Sequence, residues 1–126
     1  MRLLITGYRG FIGKNLCQLL KKANVEFTEF TGDIVDLNSF PNLKPDIVIH
    51  LASLITHTGN WTAQEYTRVN VDGTANLLTA YNDAKLVYIS TTDVTKYPLT
   101  AYAQSKKEAE NKVKKIPGNL IIRLPS

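Results

Sequence analysis

Cysteine is almost missing from this chain of 126 residues: Cys17 stands alone, which excludes an internal disulfide. It falls among the apolar positions of a helical stretch and reads as a small buried hydrophobe. No apolar run approaches the roughly twenty residues that a membrane-spanning helix requires. The apolar start, Leu3 to Ile5, is too short for a secretory signal, so the expected compartment is the cytoplasm. Internal repeats, low-complexity segments and linkers are also missing. The length allows one domain, residues 1–126, rather than a cofactor domain followed by a separate substrate domain. A shortage of apolar residues would signal disorder, but 44% of the chain is apolar and 21% charged, the balance of an ordinary globular protein. No residue is assigned as a metal ligand.

Acids are outnumbered, eleven against fifteen lysines and arginines, for a net charge of +4. Much of the excess lies in Lys106, Lys107, Lys112, Lys114 and Lys115, which read as a solvated helix face. Without interleaved aromatics or a reading motif, nucleic acid is not an expected partner. A mildly basic surface suits anionic dinucleotides and nucleotide-linked substrates without choosing between them.

What the chain does contain is concentrated first in its opening thirteen residues. The run Leu3-Leu4-Ile5 breaks at Thr6-Gly7 and passes through Tyr8-Arg9-Gly10-Phe11-Ile12-Gly13 into a helical pattern. Gly7 allows a tight exit from a strand, Gly10 lets backbone approach a pyrophosphate, and Gly13 lets the helix pack on the strand. The unpaired amides of the helix start would face the phosphates. The glycine spacing is G-x-x-G-x-x-G.

Helical spacing of Ile12, Leu16, Leu19 and Leu20 predicts an amphipathic helix over 11–22. Val25, Phe27 and Phe30 predict a second strand, ended by Thr31-Gly32-Asp33. The stretch 36–44 reads as loop with at most one helical turn. Ile47 to Ala52 is a continuous apolar run, as in strands covered on both faces. Residues 54–61 are polar and irregular. Thr62 then caps a long helix in which Tyr66, Val69, Gly73, Leu77 and Ala80 share a face, with Gly73 allowing close packing on the sheet. Leu86 to Ile89 is another buried strand, 100–115 another helix, and 118–124 a last strand. Alternating strands and helices predict a parallel sheet with helices on both faces and ligands at its carboxyl edge. The glycine turn, His50 to Ser53, and Ser90 to Asp93 all fall on that edge.

Tyr102 and Lys106, four apart on a predicted helix, point at one spot. A nearby ammonium favours the phenolate and brings tyrosine, normally titrating near pH ~10, closer to acid–base work at neutrality. The hydroxyl cluster Ser90-Thr91-Thr92 can orient a substrate oxygen toward that tyrosine. Asp93 reads as a turn residue.

Taken in order, Thr6-Gly7-x-x-Gly10-Phe11-Ile12-Gly13, His50-Leu51-Ala52-Ser53, Val69-Asn70-Val71-x-Gly73-Thr74-x-Asn76-Leu77-Leu78, Ser90-Thr91-Thr92 and Tyr102-Ala103-Gln104-Ser105-Lys106 resemble the extended short-chain dehydrogenase/reductase family. More narrowly, they resemble its NAD-dependent epimerase/dehydratase group, which acts on nucleotide-linked sugars. The resemblance implies a Rossmann fold, an α/β three-layer doubly wound parallel sheet with strand order 3-2-1-4-5-6. It implies that Gly7, Gly10 and Gly13 cradle the pyrophosphate, with Phe11 and Ile12 starting the helix beside it. Asp33, with Ile34 after it, takes the position of an adenine-contacting aspartate, and Leu51, Ala52 and Ser53 line the cofactor. Asn70 steadies the active site, Thr91 or its neighbour Thr92 orients substrate, Tyr102 is the acid/base, and Lys106 lowers its pKa and binds the ribose. In that mechanism Tyr102 removes a sugar hydroxyl proton while hydride passes to the nicotinamide. A nucleotide-linked sugar or another small molecule is the expected substrate, and a homodimer stays open.

Three departures qualify the resemblance. NAD-preferring members carry an acid at the end of the second strand, where this chain has Thr31. Its lack, together with Arg9 in the glycine turn, favours NADP, while Asp33 keeps NAD open. Only ten residues separate Thr91 from Tyr102, where the family has a longer substrate-contacting loop. The family also continues past the strand that ends here at Arg123-Leu124-Pro125-Ser126, so a fragment of a longer enzyme is expected, inactive by itself. The competing expectation is a dinucleotide-binding module without turnover.

Overall fold

Leu3–Thr6 forms β1 and is buried along its whole length, which is what a strand covered on both faces requires of its sequence. The computed structural model describes residues 1–55 and 60–125. After β1 come α1 (Phe11–Lys22), β2 (Thr28–Glu29), a 3-10 turn (Leu37–Ser39) and β3 (Ile47–His50). They are followed by α2 (Ala63–Tyr66), a π-helical segment (Thr67–Asp72), α3 (Gly73–Ala80), β4 (Lys85–Thr91), α4 (Ala101–Lys114) and β5 (Leu120–Leu124). Residues 56–59, in the stretch read as irregular, lie outside the described residues, as does Ser126.

The sheet is parallel throughout, in the order β2-β1-β3-β4-β5. This is the doubly wound Rossmann architecture, but the expected order 3-2-1-4-5-6 is not met. Between β2 and β3 the chain has no α-helix and no further strand, only the 3-10 turn. It makes a short turn in which the Leu37–Ser39 helix is capped by Asp36, whose side chain accepts from Asn38 N, and runs past Pro41 and Pro45. β2 therefore stays at the edge of the sheet.

Two apolar layers flank the strands. On one face Leu4, Val48 and Tyr88 pack with Leu77, Ala109 and Val113 of the helices. On the other, Leu3 and Ile5 pack with Cys17, Leu16 and Leu20 of α1. Cys17 is thus the buried small hydrophobe its neighbours implied. Strand alternation puts Leu120 and Ile122 on the α1 side, where they are 60% and 44% exposed.

The helix predicted after Thr62 forms with a complete capping box: the Thr62 hydroxyl accepts from Glu65 N and the Glu65 carboxylate accepts from Thr62 N. It is not one uniform helix, because residues 67–72 are wound as a π segment. Tyr66, Asn70, Thr74 and Leu77 are buried along it, whereas Ala80, placed on the inner face by simple periodicity, is exposed. Gly73 packs against Ile34 rather than the sheet; a Cβ there would lie 2.8 Å from Ile34 Cδ1.

α4 starts at the Thr100 cap, whose hydroxyl accepts from Ala103 N. Its lysines do not all form a solvated face: Lys106 is only 3% exposed. One turn on, buried Glu110 accepts two hydrogen bonds from Arg123 of β5, at 2.8 and 3.0 Å. Burial pushes the Glu110 carboxyl up, but the Arg123 hydrogen bonds and the Arg123 and Lys114 charges outweigh it and hold it below the usual carboxylate range. A carboxylate depressed in the folded state adds stability above its unfolded pKa of about 4.3 that is lost as pH falls through the folded value. Glu110→Gln should therefore cost about 2 kcal/mol near neutrality, with the difference from wild type closing in acid. Urea denaturation of both proteins across that range measures it, and a pH-independent gap would show that the ion pair is not the source.

Candidate active site

The carboxyl ends of β1, β3, β4 and β5 surround a cavity of about 880 Å3. Its first wall is the glycine turn. Gly7 has φ +70, and a Cβ there would sit 2.6 Å from Ala52 N, so strand exit and the neighbouring turn are both built for a missing side chain. A Cβ on Gly13 would run into Gly7 O and lie 2.7 Å from Tyr8 Cα. Gly10 differs: the nearest protein atom to its Cβ position is Gly7 O at 3.5 Å, and its exposed backbone lines the cavity. Gly10 is also the N-cap of α1, which has no side-chain cap and no acid in its first turn. Unpaired amides with partial positive charge thus face open space, the arrangement an anionic phosphate needs. Phe11 and Ile12, both exposed, line the mouth beside them.

The second wall comes from β2 and β3. Phe30, Gly32, Asp33 and Ile34 line it, with Asp33 Oδ1 accepting from Val35 N at 3.1 Å to hold the turn. Leu51, Ala52 and Ser53 line the opposite side. The Leu51 and Ala52 amides both donate to Thr6 Oγ1 at 3.1 Å.

The third wall carries the reactive groups, Thr91 of β4 and Tyr102 and Lys106 of α4. Burial raises the Tyr102 phenol above its ordinary pKa, the Asp93 carboxylate and the Tyr66 ring add to this, and a hydrogen bond with Thr91 pulls the other way. The ammonium of Lys106 does not do the lowering expected of it. It donates to Ile89 O at 2.9 Å and sits 4.5 Å from the centroid of the Tyr88 ring. Burial lowers its pKa to about 8, against the supporting charge of Glu110.

Not every expected site residue reaches this space. Arg9 is exposed and outside the lining, its guanidinium 5.5 Å from the Tyr8 ring centroid. Thr31 is exposed and also outside. Of the two threonine alternatives, Thr91 lines the cavity, whereas Thr92 opens the short turn after β4 and does not. Asn70 stands behind the wall: its Oδ1 accepts from Leu54 N at 2.8 Å, and its Nδ2 donates to Leu54 O at 3.1 Å and to Ser105 Oγ at 3.0 Å. The sequence reading missed Asp93, Ile55 and Val69 as lining residues, whereas Ser90, from the expected hydroxyl cluster, lines the cavity with Thr91. Asp93 carried a signal, a carboxylate two residues past a buried strand at the ligand edge, that the turn reading discarded. Ser90 Oγ is buried beside the Glu110 carboxylate without a well-formed hydrogen bond. Among the described residues no group of three or more His, Cys, Asp or Glu is placed to hold a metal ion, and no helix is long and apolar enough to cross a membrane.

This geometry has counterparts among known proteins. A model of the NAD dependent epimerase/dehydratase family matches residues 3–117. GDP-6-deoxy-D-talose 4-dehydrogenase of Aggregatibacter actinomycetemcomitans is 37% identical over 93 residues, covering 66% of this chain and 31% of the relative. Human dTDP-D-glucose 4,6-dehydratase is 36% identical over 119 residues, covering 77% and 33% respectively. Among solved structures, dTDP-4-dehydrorhamnose reductase from Bacillus anthracis in complex with NADP superposes with a TM-score of 0.85 at 26% identity, over 98% of this chain and 53% of that one. The chain thus spans about a third of these curated relatives and about half of that solved structure. Turn, sheet edge and helix agree with the match over residues 3–117, and the chain belongs to the NAD dependent epimerase/dehydratase family.

Proposed function

We propose that the cavity binds a nicotinamide dinucleotide and that the whole protein uses it to oxidise or reduce a nucleotide-linked sugar, as an epimerase, dehydratase or reductase. The observation that carries this reading is the convergence on one cavity of an open glycine turn, the Leu51–Ser53 turn, and the Thr91, Tyr102 and Lys106 side chains. When bound, the nicotinamide supplies hydride exchange. The residues supply the rest. The Gly10 amide donates to Gly7 O at 3.1 Å, so the amides that follow it at the start of α1 hold the pyrophosphate, and Asp33 lies where the adenosine end would rest. Lys106, with donors left beyond its bond to Ile89 O, holds the ribose.

Tyr102, kept protonated by burial and by Asp93, is an acid in its resting form. It donates a proton to a carbonyl oxygen of the sugar and takes one from the corresponding hydroxyl in the opposite direction. Thr91, whose hydroxyl accepts from Asp93 N at 3.1 Å and lines the cavity with the same phenol, orients that oxygen. The preference is for NADP: Thr31, two residues past β2, carries no carboxylate to repel a 2′-phosphate, and Arg9, exposed beside Gly10 although outside the lining, offers a guanidinium to it. One observation favours the alternative of a binding module without turnover, namely that Lys106 is turned toward Ile89 O and does not depress the Tyr102 phenol.

Fluorescence titration with NADPH and NADH decides first whether the site is a dinucleotide site. NADPH should bind more tightly, with Arg9→Ala bringing the two together. Gly10→Ala should fold normally yet weaken binding about tenfold or more, whereas Gly13→Ala should lose stability; no binding to either nucleotide would sink the proposal.

Acid–base function is tested in the full-length protein by Tyr102→Phe, expected to lower turnover roughly 100-fold or more with binding retained. The pH dependence of NADPH binding tests Lys106. Affinity should fall as pH rises through about 8, because the ammonium is then lost, and Lys106→Met should abolish that step.

A further inference from the structure

Behind the cavity wall runs a chain of buried hydrogen bonds whose proton directions can be fixed by counting. Thr6 and His50 sit opposite each other in the β1–β3 pairing, and both are at most 1% exposed. Thr74 Oγ1 lies 2.7 Å from Asn70 O. A carbonyl only accepts, so the Thr74 proton is committed there. Thr74 Oγ1 is then an acceptor toward His50 Nε2, 2.9 Å away, and Nε2 must carry the imidazole proton.

Burial and the Lys106 charge lower the His50 pKa to about 3; Tyr88, its partner in the β3–β4 pairing with ring centroids 5.5 Å apart, is itself held protonated by burial. The ring is therefore neutral, Nδ1 is a lone pair, and Thr6 Oγ1 at 2.7 Å donates to it. The two remaining lone pairs of Thr6 accept from Leu51 N and Ala52 N. Leu51 N also reaches Thr6 O at 3.3 Å, and the buried Tyr88 hydroxyl lies near Thr74 without a well-formed bond; with the Thr74 proton held on Asn70 O, only one direction runs through Thr74, His50 and Thr6.

We propose that His50 is a positioning residue, locked by Thr6 and Thr74 in its Nε2–H form, that ties the Leu51–Ala52 wall of the cavity to Asn70 and through it to the Tyr102 helix. The far end of the link is continuous. Asn70 Nδ2 donates to Ser105 Oγ, which donates to Tyr102 O at 2.7 Å, while Asn70 also grips both backbone groups of Leu54. One network thus fixes the cavity wall and the acid/base helix in a common frame. Its relevance to cofactor rests on the dinucleotide reading above; its geometry does not.

The experiment is long-range proton–nitrogen correlation of the imidazole in 15N-labelled protein. The sequence has two histidines, so His50→Gln assigns the signal. Nε2 should be protonated and Nδ1 bare, unchanged between about pH 5 and 8. A proton on Nδ1, or titration in that window, would overturn the proposal. Thr74→Val keeps the shape of the side chain but removes the acceptor. It should speed amide exchange at Leu51, Ala52 and Leu54 about tenfold and weaken NADPH binding by a similar factor, and Thr74→Ser should restore both. Valine behaving as serine does would also overturn it. If wild-type protein binds neither NADPH nor NADH, the dinucleotide reading fails, and tautomer and exchange still decide whether the link exists.

Discussion

One close backbone contact governs the rest: α1 meets the β1 exit with no room for a side chain between them. At Gly13 a Cβ would collide with Gly7 O, and at Gly7 it would strike Ala52 N. Helix, strand and the turn after β3 are thereby fixed against one another at one point of the carboxyl edge. The uncapped start of α1 is left facing outward because this contact sets its angle. Had the glycines been turn formers only, their Cβ positions would point into solvent, as Gly10 alone does.

A second constraint is electrostatic. Lys106 and Glu110, one turn apart on α4, are both buried, and burying charge costs free energy unless it is paired. Arg123 of β5 answers Glu110 with two hydrogen bonds. Ile89 O and the Tyr88 ring answer Lys106. The helix that carries Tyr102 is thus docked by polar contacts as well as by Ala109 and Val113, and those contacts leave the phenol protonated next to Thr91.

Most of this was legible in the residues. The strand–turn–helix at 3–13, the Thr62 and Thr100 caps and the alternation of elements follow from local patterns that physics reads within a few residues. The glycine turn, Ala52, Ser53, Thr91, Tyr102 and Lys106 meet at one edge because parallel strands put all their carboxyl ends there. What the sequence hid was set by contacts between distant segments. The missing strand between β2 and β3 shows only as a short connection. The docking of Gly73 on Ile34, the burial of Lys106 and the direction its ammonium takes depend on what the rest of the fold places nearby. Arg9 and Thr31 were weighed for chemistry by position in a motif, and the fold leaves both outside the cavity lining. His50 read as one residue of an apolar strand, since its partners lie 44 and 24 positions away.

The π segment between α2 and α3 has a consequence for how this region can vary. Asn70 and Thr74, four apart, share a face in any winding near the α-helical one, and a π turn holds one residue more than an α turn. The winding at 67–72 therefore takes up an extra residue while the turns on either side stay α-helical. Removing one residue inside the segment restores plain α-winding with Leu77 still in the apolar layer, whereas removing one from α3 turns everything beyond it by about 100°. A change of length in this helix is thus tolerated in the π segment and nowhere else along it.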